Sequence, residues 1–151
     1  MKPMLDVQVV RTEEQLAHCL SVRRKVFVEE QGVPEQLETD ELDNLSSGAR
    51  HVLAVHGDQP VGTGRWKRYA ADAAKLQRIA VLPDWRGHGF GLAILHALEA
   101  SALAEGCDRA ILDAQVHARR FYEQAGYAAE SEDIFDDAGI PHIRMEKRLI
   151  G

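Results

Sequence analysis

The stretch Leu82-Pro83-Asp84-Trp85-Arg86-Gly87-His88-Gly89-Phe90-Gly91 decides the reading of this chain. Ahead of it, Ile79-Ala80-Val81-Leu82 is nearly continuous apolar sequence, the mark of a strand buried on both faces. Pro83 stops that strand. Behind it an Ala/Leu-rich helix runs to Glu105, with Ile94, Leu98 and Ala102 on its buried stripe and Gly106 as its stop. Glycines between a buried strand and a helix start let the backbone approach a ligand. The free N–H groups of the first turn converge there, and the helix dipole favours negative charge. Glycine in a helix start costs about 1 kcal/mol relative to alanine. Gly87, Gly89 and Gly91 at alternate positions therefore exceed what a plain turn requires. The segment predicts a phosphate or pyrophosphate site of main-chain donors, with Arg86 adding a positive charge at its edge.

Two nucleotide motifs can be tested on the letters. A P-loop needs G-x-x-x-x-G-K-[ST], and the chain contains no Lys-Ser or Lys-Thr pair. A Rossmann turn needs G-x-G-x-x-G, and Gly87-His88-Gly89-Phe90-Gly91-Leu92 fails at the last glycine. Asp113 does stand where a ribose-binding acid is expected, but the elements before the turn read as antiparallel hairpins.

The flanking sequence predicts one domain over residues 1–151. Residues 6–10 alternate as a first strand. Thr12 and Gln15 form a capping-box pattern, and Leu16, Leu20 and Phe27, with Cys19 and Val26 beside them, predict a helix stopped by Gly32 and Pro34. The acidic residues 35–45 read as a short helix or loop anchored by Leu37, Leu42 and Leu45. The stretches Glu35–Asp43 and Glu130–Asp137 could face a cationic substrate, but charge runs usually solvate, and a solvated surface is the preferred reading. Residues 51–55 and 61–69 pair as a hairpin, and 75–82 form the next strand. After the long helix come a strand at 109–114, a short helix at 118–124 and strands at 127–130 and 141–147. The result is an α/β fold on one mixed sheet, about seven strands with about four helices. Three hairpin-linked strands precede a right-handed β-α-β crossover.

The chain has 151 residues, 45% hydrophobic and 28% charged, enough for a full core without staples. The formal net charge of −6 argues against general nucleic-acid binding. No apolar stretch approaches the ~18 residues of a membrane span, and the first residues do not read as a signal peptide. The two cysteines, Cys19 and Cys107, form neither a disulfide framework nor a CxxC pattern, which fits a cytoplasmic protein. No histidine pair has metal-ligand spacing, so no metal is predicted.

The glycine turn also fits [RQ]-x-x-G-x-[GA] and so resembles the acetyl-CoA motif of the GCN5-related N-acetyltransferase (GNAT) superfamily. Farther on, Ala118-Arg119-Arg120-Phe121-Tyr122-Glu123-Gln124-Ala125-Gly126-Tyr127 is similar to that family's A-x-x-[LF]-Y-E-x-x-G-[FY] segment. Two more stretches, Arg23-Arg24-Lys25-Val26-Phe27-Val28-Glu29-Glu30-Gln31 and Gly139-Ile140-Pro141-His142, look like the small bacterial ElaA-like group. The resemblance covers essentially the whole chain.

It implies an acetyl-CoA-dependent N-acetyltransferase in which the fourth and fifth strands splay around the cofactor. The pantetheine arm would lie along Ile79, Ala80 and Val81, with the Ile79 N–H on the oxyanion. The pyrophosphate would sit on the amides of Arg86, Gly87, His88, Gly89, Phe90 and Gly91. Tyr122 would protonate the leaving thiolate. Gln115 stands where many members carry Asn for a cofactor contact. The acceptor would be a primary amine of a small molecule or peptide, and a homodimer is allowed. A general-base Glu, found in some members just before the turn, is absent from Leu76-Gln77-Arg78-Ile79. Glu30, Asp43, His51, His142 or a water on Gln77 stand as alternatives. That gap keeps a second reading open, a non-catalytic acyl-CoA-binding regulatory module. A third rests on Arg23-x-x-Val26-Phe27, reminiscent of acyl-homoserine-lactone synthases.

Overall fold

The computed structural model describes residues 5–150; the first four residues, on which the reading of the N-terminus rests, lie outside them. Strand β1 (Leu5–Val9) leads into helix α1 (Glu13–Arg23), which continues as a π-helical segment (Arg24–Glu30). A short α2 (Glu35–Glu38) and a loop follow. Strands β2 (Arg50–His56), β3 (Gln59–Ala70) and β4 (Ala73–Val81) come next. Helix α3 (Phe90–Ala104), strand β5 (Arg109–Gln115), helix α4 (Arg119–Gln124) and strands β6 (Ala128–Asp137) and β7 (Ile140–Arg148) complete the order. The seven strands form one sheet, β1-β2-β3-β4-β5-β7-β6. Only β4 and β5 run parallel, joined through α3. This is the mixed architecture that the sequence predicts.

Local chemistry explains the element starts. The Gln15 N–H donates to Thr12 Oγ1 (3.1 Å), and the Thr12 N–H donates to Gln15 Oε1 (3.1 Å), closing the capping box of α1. The buried seam of this helix is Leu16, Cys19, Val22, Arg23 and Val26; Leu20 and Phe27 only flank it. The expected stripe is therefore rotated, because Arg23 can be buried once its charge is met. The β2–β3 hairpin turns on Gly57-Asp58, with Gly57 at φ +61°. Strand β6 runs well beyond the expected 127–130, to Asp137, and turns at Ala138-Gly139.

Helix α3 lies on one face of the sheet and α1 on the other. Val52, Ala54, Trp66 and Leu76 pack with Ile94, Leu95 and Leu98 in the main core, while Val22, Val26 and Ala80 form a smaller cluster on the α1 side. The close approach of α3 depends on Gly62. A Cβ there would lie 2.6 Å from Ile94 Cδ1 and 3.0 Å from the Ala80 carbonyl oxygen. Ile94 is fully buried and the carbonyl is backbone, so neither can yield cheaply. Gly62→Ala is expected to cost about 1–3 kcal/mol, read as a fall in melting temperature of about 2–4 °C per kcal/mol.

Two irregularities open the sheet. The β4–β5 ladder runs from Ala73↔Arg109 to Leu76↔Leu112 and stops, although both strands continue. On the other edge of β4 the register jumps from Thr63↔Ala80 to Arg65↔Gln77, so that Arg78 and Ile79 oppose Gly64 alone. Arg78 takes φ +58°, a left-handed conformation costing a non-glycine residue about 1–3 kcal/mol. This β-bulge bends the strand away from β5.

Candidate active site

A cavity of about 620 Å3 lies at the splay. From β4 it takes Lys75 through Val81; from β5, Leu112, Asp113 and Gln115. Phe121 and Tyr122 of α4, Glu30 and Gln31 at the end of the π-helical segment, and Ile140 and His142 of the β6–β7 hairpin close it. Ile79 and Tyr122 pack toward the main core on the α3 side. Ala80 turns to the α1 side with Val22 and Val26. Ile79, Ala80, Val81, Arg86, Gln115 and Tyr122 therefore share one cavity. Gly87, His88, Gly89, Phe90 and Gly91 do not line it; they form the turn leading from it into α3.

That turn has the backbone its glycines allow. Gly87 and Gly89 sit at φ +82° and +81°, and Gly89 caps α3 in the left-handed region. Gly91 has no such need: a Cβ there would rest in ordinary contact 3.6 Å from Phe121. Arg86 is not free at the edge of the turn. Its Nε donates to the Val81 carbonyl (2.9 Å), and its terminal nitrogens donate to the Glu30 carboxylate at 2.7 and 2.6 Å. Gln115 is engaged as well, in a reciprocal amide pair with Gln31 at 2.9 and 3.3 Å. His117 Nε2 lies 2.6 Å from its Oε1.

Tyr122 is held by its neighbours. Its ring meets Phe121 and Tyr127 edge-on, with centroids at 5.0 and 6.0 Å. Its hydroxyl has no hydrogen-bond partner among the described residues, and burial pushes its pKa up to about 12.

The base candidates separate on geometry. Arg86 beside Glu30 holds that carboxyl below its usual range, the opposite of the rise a helix C-terminus alone would give. His51 is buried under the acidic loop, outside the cavity, with Nε2 3.1 Å from the Leu42 carbonyl, and burial lowers its pKa. Gln77 accepts from Arg65 through Oε1 at 3.1 and 3.2 Å. His142 lines the cavity with Nδ1 2.7 Å from the Ile140 carbonyl. A carbonyl only accepts, so Nδ1–H is the donor of this contact, and in the neutral ring Nε2 is the nitrogen left with a lone pair.

Asp43 belongs to a buried ion cluster, which corrects the reading of residues 35–45 as a solvated run. Leu37 and Leu45 are exposed, while Glu38 and Asp43 turn inward. Arg23 and Arg65 are each 1% exposed. Arg23 donates to Glu38 at 2.6 Å and to Asp43 at 2.6 and 3.0 Å. Arg65 donates to Asp43 at 2.8 Å and to Asp40 at 2.8 and 2.6 Å. Burial works to raise the Asp43 pKa; hydrogen bonds from Arg23 and the Asp40 N–H, with the charges of Arg23 and Arg65, outweigh it and hold it at about 2. Sequence reasoning missed this cluster. Its signal was an arginine at an inward helix position, seven residues after Leu16, and a second between Gly64 and Trp66 on a buried strand.

Asp113, the would-be ribose acid, pairs instead with Arg144 (2.8 Å) and Lys75 (3.3 Å). Among the described residues no group of three or more His, Cys, Asp or Glu could hold a metal ion, and no helix is long and apolar enough to cross a membrane.

Comparison with known proteins agrees with this architecture. The acetyltransferase (GNAT) domain family matches residues 9–149. YjcF of Bacillus subtilis, an uncharacterized N-acetyltransferase, is 45% identical over 92% of this chain and 96% of its own. ElaA of Escherichia coli is 30% identical over 90% of this chain and 89% of its own. Its crystal structure superposes with a TM-score of 0.84 at 26% identity, covering 96% of this chain and 100% of that one. An acyl-CoA N-acyltransferase from Pseudomonas aeruginosa gives 0.83 at 26% identity, over 95% and 99% of the two chains. With the domain matched almost end to end on a sheet parted between β4 and β5, the chain belongs to the GNAT family of acetyltransferases, in the company of ElaA.

Proposed function

We propose that this enzyme moves an acetyl group from acetyl-CoA to a primary amine of a small molecule or peptide by direct attack. The observation that carries the reading is the β4–β5 splay. It leaves the edge of β4 from Gln77 onward without a strand partner on the β5 side, beside a cavity of about 620 Å3. An extended pantetheine arm offers the amides such an edge can pair with, and the turn at Gly87–Gly89 offers N–H groups to a pyrophosphate. The relative from Pseudomonas aeruginosa, an acyl-CoA N-acyltransferase, supports a CoA thioester as donor. Arg86, neutralised by Glu30, supports the turn; Gln115, locked to Gln31, shapes the cavity wall.

In this reading the Ile79 N–H steadies the negative charge that develops on the acetyl oxygen. His142 Nε2 takes the proton of the acceptor ammonium, and the freed amine attacks the carbonyl carbon. The C–S bond breaks, Tyr122 gives its proton to the departing sulfur, and the phenolate regains one, directly or through water, as the new amide nitrogen sheds its extra proton. Asp43, His51 and Glu30 take no part, since each is already spoken for by a buried or ionic partner.

Isothermal titration with acetyl-CoA and CoA, against NAD and ATP, tests the reading. Micromolar binding of the CoA species alone is expected, and binding of none of them would overturn it. With an acceptor in hand, His142→Gln should lower kcat/KM by about 10²–10⁴, the usual worth of a placed general base; a value close to wild type would move the base elsewhere.

A further inference from the structure

The ion cluster under the cavity holds three arginines, and one of them is used differently. Every guanidinium nitrogen of Arg23 and Arg65 donates a hydrogen bond. Arg78 makes one, from Nε to the Glu38 carbonyl at 3.1 Å. Its nearest carboxylates, Glu38 and Asp40, stand off at 3.9 and 3.8 Å. Neither of its terminal nitrogens has a hydrogen-bond partner among the described residues, and the side chain is 25% exposed in the cavity. Arg78 also owes its position to the bulge. In a regular strand Gln77 and the next residue face opposite sides. Here the left-handed backbone turns both toward the α1 side, Gln77 to Arg65 and Arg78 to Glu38. A strained conformation thus serves to aim a cation at the floor of the cavity.

The charges around it are largely spent. Glu38 is taken by Arg23, Glu30 by Arg86, and Asp113 by Arg144 and Lys75. Burial, with Arg65 and Arg23 nearby, presses the Arg78 pKa down, which is the mark of a cation short of compensation. On the hairpin side of the same cavity stand His142 and Asp137. The arrangement suits a molecule with an anionic end on β4 and a cationic end toward the hairpin.

We propose that Arg78 is a specificity-determining residue that binds a carboxylate of the acceptor, so that the enzyme acetylates amines that also carry a carboxyl group. This rests on the transferase reading above and narrows its acceptor. The two free terminal nitrogens can meet both oxygens of one carboxylate, and Arg78 stands next in sequence to Ile79, whose N–H that reading places at the acetyl group.

The test sets the common α-amino acids, and the ladder from glycine through β-alanine and 4-aminobutanoate to 6-aminohexanoate, against their amides. CoA release is measured for wild type, Arg78→Gln and Arg78→Lys. At least one acid is expected to exceed its amide about tenfold or more in kcat/KM, through KM. Arg78→Gln should erase that ratio by lowering turnover of the acids far more than that of the amides, and Arg78→Lys should restore part of it. Equal turnover of acids and amides, or an equal loss on both in Arg78→Gln, overturns the proposal. Calorimetric binding of the same compounds needs no turnover: tighter binding of acids, lost in Arg78→Gln, supports it, and no preference overturns it. Should Arg78→Gln fail to fold, the wild-type ratio and Arg78→Lys decide alone. Failure to bind any CoA species strikes the transferase reading and leaves the calorimetric comparison standing.

Discussion

Tyr122→Phe is expected to lower kcat by about 10²–10⁴, the usual worth of a placed general acid, while CoA binding and melting temperature stay close to wild type. The substitution removes one oxygen. The ring keeps its edge contacts with Phe121 and Tyr127, and no protein group among the described residues loses a hydrogen-bond partner. That separates chemistry from stability. The objection is energetic. A phenol raised to about 12 is a poor acid beside a free thiol near 8.5. But the leaving sulfur would be freed in the same buried cavity, and burial raises thiols too. Cys19, buried under α1, is pushed up to about 11 in this protein. Burial of the leaving sulfur would act in the same direction and so narrow the gap between phenol and thiol. The same shift keeps Tyr122 protonated well above pH 10, so kcat should show no alkaline limb from this group. A kcat within about threefold of wild type would assign the proton to solvent, since a general acid is worth far more than that.

How far the letters carried differs between fold and site. Alternating β-branched runs, the Thr12–Gln15 box and the two glycine-bearing motifs gave away the element order, because each leaves a local pattern. The sequence predicts β6 only to residue 130 because residues 131–137 are exposed at the sheet edge. With no buried face, no apolar alternation records the strand. The bulge at Arg78 was invisible for another reason. A left-handed residue is ordinarily advertised by glycine or asparagine, and here an arginine adopts that conformation. Long-range pairs such as Gln31–Gln115 and Glu30–Arg86 join segments more than fifty residues apart, which no spacing rule reaches. The acidic loop misled most: charge runs usually solvate, and this one is the counterpart of arginines placed elsewhere for burial.

The cluster formed by that loop supplies the second large expected effect, a loss of about 3–5 kcal/mol in Asp43→Asn, the cost of breaking a buried ion pair from one side. Asp43 is 4% exposed and receives both Arg23 and Arg65, with a backbone N–H from Asp40. Asparagine fits the space but presents an NH2 where one arginine donates, and leaves two guanidinium groups against fewer anions. Stabilities of 5–15 kcal/mol are usual for a domain, so the variant should unfold at markedly lower urea. The pH dependence follows from the sign of the shift. The folded-state pKa of Asp43 is about 2, below its ordinary 3.8. Its contribution is therefore complete above about pH 4 and is lost as pH falls toward 2, amounting to about 2 kcal/mol. Wild type should weaken through that window, and Asp43→Asn should lack that part of the slope. A loss under 1 kcal/mol at neutral pH would mean that water replaces the carboxylate at the arginines. Because Arg65 also holds Gln77, one residue before the Arg78 bulge, the same substitution should loosen the floor of the cavity and raise KM for the acceptor before it alters CoA binding.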